Sequence, residues 1–191
     1  KILVNPLLGY LQVIMNKILN TGTIYVRCAN DKLIRPVRFR FEQEAVLFEF
    51  DAKRMRIKSD GTNLYCQMTN TKKKASFCDS YTEAINLLIE SDEREPLRGQ
   101  IIIKDMPFRV SFSPGGFAFN CDLGVAESSY LISINNRQIS VAKTDKIESK
   151  SEQPSQVAME SCDNLTEALA FIYQSAYTMF KELVNKPERL N

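Results

Sequence analysis

At 191 residues, with 44% hydrophobic content and a net charge of +2, the chain is long and apolar enough to bury a core and too weakly charged to stay unfolded. Histidine is absent, which removes the commonest general base, the usual partner of a serine or cysteine nucleophile and the commonest zinc ligand. No apolar run approaches the length of about 18 residues that a membrane-spanning helix needs.

Taken in order, Leu7, Leu8, Leu11, Ile14, Met15 and Ile18 recur at helical spacing behind Asn5-Pro6, a capping residue followed by the preferred first helical residue. The pattern predicts an N-terminal helix over residues 1–21, which either packs on its own domain or docks on another subunit. Strands follow over residues 23–28, 36–41, 45–50, 54–58 and 64–68. In residues 36–41 Val37, Phe39 and Phe41 face one way and Arg38 and Arg40 the other; Met55 and Ile57 alternate in the same way with Arg54, Arg56 and Lys58. Residues 59–63, Ser-Asp-Gly-Thr-Asn, read as a turn, and residues 70–74 as a basic turn carrying Lys72, Lys73 and Lys74. Between Gly22 and Cys78 twelve Lys and Arg stand against six Asp and Glu, so the basic charge is concentrated in this first sheet-forming unit.

At Cys78 the period changes from two to that of a helix, expected from Tyr81 to about Ile89. This junction occurs twice. Cys78-Asp79, two residues, then Thr82-Glu83-Ala84 is matched 84 positions later by Cys162-Asp163, two residues, then Thr166-Glu167-Ala168. Ser80 with Glu83, and Asn164 with Glu167, have the spacing of a capping box, so both glutamates are assigned to helix starts and not to acid–base chemistry.

Residues 91–96 form an acidic connector, and the second unit retraces the first. Strands are expected over residues 100–104, 107–112, 117–119, 130–134 and 138–142. Pro107-Phe-Arg-Val-Ser-Phe112 echoes Pro36-Val-Arg-Phe-Arg-Phe41, and Asn135-Asn136-Arg137 signals a hairpin. Residues 143–156 are polar, carry Pro154 and read as a loop. A strand to Ser161 leads into a long helix with a stripe of Leu165, Ala168, Leu169, Ile172, Ala176, Met179, Phe180 and Leu183. The stripe is wider than one small sheet covers, so Ile172, Phe180 and Leu183 are expected to be buried partly against another chain. The whole predicts an α+β fold: an internal duplication of an antiparallel β-sheet followed by a helix, plus the N-terminal helix. The units are 1–21, 22–96 and 97–191, in one compact pseudo-symmetric domain.

Catalytic signals are scarce. No phosphate-cradling glycine loop is present, and Asp51, Asp60 and Asp122 stand at strand ends or turns without a paired acidic motif, so neither a cofactor nor a metal is called for. Five cysteines lack C-x-x-C spacing, which suits small core residues in a reducing intracellular compartment. What remains is basic side chains alternating along strands with aromatics nearby, the arrangement that meets phosphate and stacks unpaired bases. The candidate nucleic-acid-binding residues are Arg38, Arg40, Arg54, Arg56, Lys58, Tyr65, Lys72, Lys73, Lys74 and Arg109, with Tyr25 and Phe108 as further stacking faces; the alternative for each of these aromatics, and the commoner one, is a place in the core. The competing reading is an ordinary solvated sheet face.

The sheet-then-helix duplication, the Phe77-Cys-Asp-Ser-Tyr-Thr-Glu-Ala-Ile-Asn-Leu-Leu-Ile89 junction and the Tyr130-Leu-Ile-Ser-Ile-Asn-Asn136 strand resemble the plant Whirly proteins, whose fold the kinetoplastid mitochondrial RNA-binding proteins share. Pur-alpha-like proteins have a similar repeat plan. The Whirly resemblance implies a binder of single-stranded RNA or DNA, oligomeric through its helices, with nucleic acid along the sheets and the mitochondrion as one compartment beside cytoplasm and nucleus. The basic first-strand motif of that family is replaced here by Gly22-Thr-Ile-Tyr-Val-Arg27. The expectation is a non-enzymatic single-stranded nucleic-acid-binding protein, RNA ahead of DNA, acting as a homo- or hetero-oligomer away from membranes. The rival is a structural subunit whose helices dock into a larger protein or ribonucleoprotein assembly.

Overall fold

The computed structural model of the chain describes residues 20–69, 75–123, 126–147 and 158–185. These residues form six strands, β1 (Asn20–Arg27), β2 (Ile34–Phe41), β3 (Val46–Phe50), β4 (Lys53–Ser59), β5 (Leu64–Met68) and β6 (Ser76–Cys78), then helix α1 (Tyr81–Ile89). Six more follow, β7 (Arg98–Ile103), β8 (Met106–Ser113), β9 (Gly116–Asp122), β10 (Ala126–Asn135), β11 (Gln138–Ile147) and β12 (Ala158–Cys162), then helix α2 (Leu165–Val184). The fold is α+β, and every strand pair is antiparallel in one sheet of order β12-β11-β10-β9-β8-β7-β1-β2-β3-β4-β5-β6. The first strands of the two sets therefore meet at the centre, and the last strands form the edges.

At that seam β1 pairs with β2 on one side and β7 on the other, with Thr23 opposite both Arg38 and Gln100. Gly22 sits here because nothing larger fits: a Cβ would run into the Phe39 ring and come within 2.6 Å of the Gln100 carbonyl. The inward faces of the two sets pack on each other. Phe39 meets Phe112 edge-on with ring centroids 5.1 Å apart, Phe41 meets Phe117 at 4.9 Å, and Tyr81 of α1 touches both Phe112 and Phe117. Each such buried ring contributes roughly 1.5–3 kcal/mol.

The turns close the far side. Asn136 donates its backbone N–H to the Asp60 carbonyl at 3.1 Å, and Ser59 Oγ donates to the Pro114 carbonyl. Gly61, at φ 103°, lies so close to the Ile134 carbonyl that a side chain would collide with it. The sheet thus curls until the β4–β5 turn meets the β8–β9 and β10–β11 turns.

Both helix starts have the predicted caps. Ser80 Oγ accepts from Glu83 N–H at 3.1 Å, and Asn164 Oδ1 accepts from Glu167 N–H at 3.0 Å. The carboxylates reach back one residue further than the usual box: Glu83 accepts from Asp79 N–H at 2.7 Å, and Glu167 from Asp163 N–H at 2.6 Å. The α2 N-terminus is also held by Leu165 N–H donating to the Gln43 carbonyl at 2.9 Å.

Several boundaries differ from the sequence reading. Residues 143–147, expected within a polar loop, continue β11, because β10 itself begins at Ala126 and pairs with it residue by residue from Asn135↔Gln138 to Ala126↔Ile147. A polar strand gives no alternation to read, and its backbone pairing supplies the structure instead. Asn20 and Thr21, assigned to the N-terminal helix, belong to β1; the rest of that helix lies outside the described residues. Ile172 is fully buried within its own chain and needs no partner, whereas Phe180 (45%) and Val184 (65%) remain exposed. No described helix is long and apolar enough to cross a membrane.

Candidate nucleic-acid interface

The same alternation that sends phenylalanines inward puts the basic side chains on the outer face, and the registers fix where. One transverse row runs Arg54, Glu49, Arg38, Thr23, Gln100, Arg109, Asn120 and Ser129 across eight adjacent strands. A parallel row runs Arg56, Leu47, Arg40, Thr21 and Ile102. Arg38 and Arg109 fall in one row, about 14 Å apart, since three strand spacings separate them.

Four of the six predicted cations that lie among the described residues have carboxylate partners. Arg56 Nε lies 2.8 Å from Glu42, which also takes Arg40 at 3.4 Å; Arg54 Nε lies 3.0 Å from Glu49, and Lys58 Nζ 2.7 Å from Glu44. Lys58 holds the Glu44 carboxyl below its ordinary range. Exposed pairs of this kind are worth about 0–1 kcal/mol, so a phosphate can exchange for the glutamate at little cost. Arg38 and Arg109 differ: both are exposed and neither has an ion-pair partner among the described residues.

The aromatic candidates divide. Tyr25 is 67% exposed on the outer face of β1, two residues from Thr23. Tyr65 is partly exposed and packs on Phe77 with centroids 4.9 Å apart; its hydroxyl donates to Asp60 at 3.0 Å, which pushes the phenol pKa up. Asp60 is a turn organiser, accepting also from the backbone of Thr62 and Asn63, and these bonds hold its carboxyl well below the usual range. Phe108, offered as a stacking face, is 2% exposed and belongs to the core: Phe108 and Arg109 alternate, and only Arg109 faces out. Lys72, Lys73 and Lys74 lie outside the described residues.

Sequence reasoning missed Phe77, which is 70% exposed beside Tyr65, and the amides Gln100 and Asn120 beside Arg109. Strand alternation places all three outward, but only the cross-strand register shows which cations they accompany. Thr23, Tyr25, Gln100, Arg109 and Asn120 all line a shallow cavity of about 570 Å³ over the seam.

The fold and this face define an antiparallel α+β protein with a mixed basic and aromatic outer sheet surface. No family model, no curated protein and no solved structure matches the chain.

Proposed function

We propose that the chain is a non-enzymatic protein that binds single-stranded nucleic acid, RNA ahead of DNA, on the outer face of its sheet. The observation that carries this reading is the alignment of Arg38 and Arg109, both without carboxylate partners among the described residues, in one row near the exposed ring of Tyr25. Guanidinium groups bind phosphate bidentately, and an exposed ring stacks any unpaired base. Arg40, Arg54, Arg56 and Lys58 extend the positive surface once phosphate competes with their glutamates.

The six-strands-then-helix order, occurring twice with matching caps, supports an internal duplication of the Whirly type, and it is this resemblance that favours RNA and allows a mitochondrial location. Five buried free thiols support a reducing compartment. The rival reading, a structural subunit in a larger assembly, draws on Phe180 and Val184, left exposed near the end of α2, and on the exposed Met159 of β12. Oligomerisation through the helices uses the same Phe180 and Val184.

Titrating labelled single-stranded oligonucleotides and their duplexes across a salt series tests the proposal. Single strands bind more tightly than duplex, because a sheet surface reaches unpaired bases and not stacked ones, and affinity falls linearly in log salt. Absence of single-strand binding at low salt would leave the subunit reading.

A further inference from the structure

The cavity over the seam contains more than charge. Arg109 brings a planar fork of donors. Asn120 presents its amide in one orientation, because the Ser129 hydroxyl donates to its Oδ1 at 2.8 Å and so leaves the Nδ2 hydrogens for a ligand. Glu127 lines the same cavity and offers acceptors, and Tyr25 offers a ring face. Two donors in one row, with a carboxylate two residues along on the next strand, match one base edge-for-edge. Guanine carries acceptors at O6 and N7 and donors at N1 and the 2-amino group, whereas adenine places a donor where guanine has O6, and the pyrimidines have no N7.

We propose that this cavity is a guanine-reading subsite, in which Arg109 and Asn120 donate to the O6/N7 edge and Glu127 accepts from N1–H and the 2-amino group, while Tyr25, on the far side of Arg109 from Glu127, stacks the neighbouring base. It rests on the reading of the outer face as a single-strand surface and adds sequence preference to it. Arg38, on the same row beyond Thr23, engages the backbone of the strand that delivers the base.

The test is fluorescence anisotropy with alternating UG, UA and UC oligonucleotides of equal length, together with UG oligonucleotides carrying 7-deazaguanine or inosine. The wild-type protein prefers UG by about tenfold, the discrimination of one good bidentate arginine–guanine pair. Replacing N7 by carbon, or making Arg109→Lys, removes most of that preference while UA and UC binding persists, since lysine keeps the charge and loses the fork. Inosine, which lacks the 2-amino group, weakens binding to wild type but not to Glu127→Gln. Equal affinity for UG, UA and UC, or a UG preference unchanged in Arg109→Lys, overturns the subsite with the binding surface intact. Failure of every oligonucleotide to bind overturns the surface itself.

Discussion

Arg38 on β2 and Arg109 on β8 occupy one transverse row of the outer face, joined through Thr23 and Gln100, with the β1–β7 pairing midway between them. They come from corresponding places in two similar stretches, each two residues after a proline, and among the described residues both lack a carboxylate partner of the kind that neutralises Arg40, Arg54, Arg56 and Lys58. A strand crossing the seam meets free guanidinium groups on either side of it.

Glu42 competes with that strand. Its carboxylate takes both Arg40 and Arg56, so Glu42→Gln frees two cations and removes a negative charge. Affinity for single strands then rises several-fold at low salt and the advantage fades at high salt, where screening removes both effects. Titration of the variant against wild type checks this; unchanged affinity would mean the strand does not approach Glu42.

The core is shared, so truncating it on one side destabilises the whole. Phe112 touches Phe39, Phe41, Phe48, Phe117 and Tyr81, and Phe112→Ala costs about 3–5 kcal/mol, read as a lowered denaturation midpoint with a single transition. Two separate transitions would show that the two strand sets fold independently.

Asp60 ties stability to pH. Its folded carboxyl titrates below the ordinary value, so its contribution is present above about pH 4 and is lost as pH falls below that value toward the folded pKa. Asp60→Asn lowers stability at neutral pH and matters less in acid, and so flattens the acid limb of the stability profile. Acid unfolding unchanged by this substitution would remove Asp60 from the account.

How far these features were legible in the sequence depended on periodicity. Alternation placed Arg38, Arg54, Arg56 and Arg109 outward, and the capping spacing located both helix starts to the residue. The central pairing of β1 with β7 was not legible, because partner choice between strands separated by a whole unit leaves no local signal. Without it, the alignment of Arg38 with Arg109 was invisible; the neutralisation of Arg56 by Glu42 and the company that Gln100 and Asn120 keep rest on the β2–β3–β4 and β7–β8–β9 registers, which alternation alone does not fix. Phe108 was left between core and stacking surface for a related reason: an aromatic next to an arginine has the composition of a stacking surface, and only alternation separates the two.

The most direct test of the central claim is the salt dependence of single-strand binding in Arg38→Ala/Arg109→Ala beside wild type. Each phosphate contact contributes about 0.7 to the slope of log affinity against log salt on single strands. Both substitutions are on the exposed face, where changes usually stay within about 0.5 kcal/mol of stability, so the variant folds. The account predicts a slope flatter by about one to two and weaker binding to all sequences. An unchanged slope in the folded double variant would contradict it and leave the basic face merely solvated.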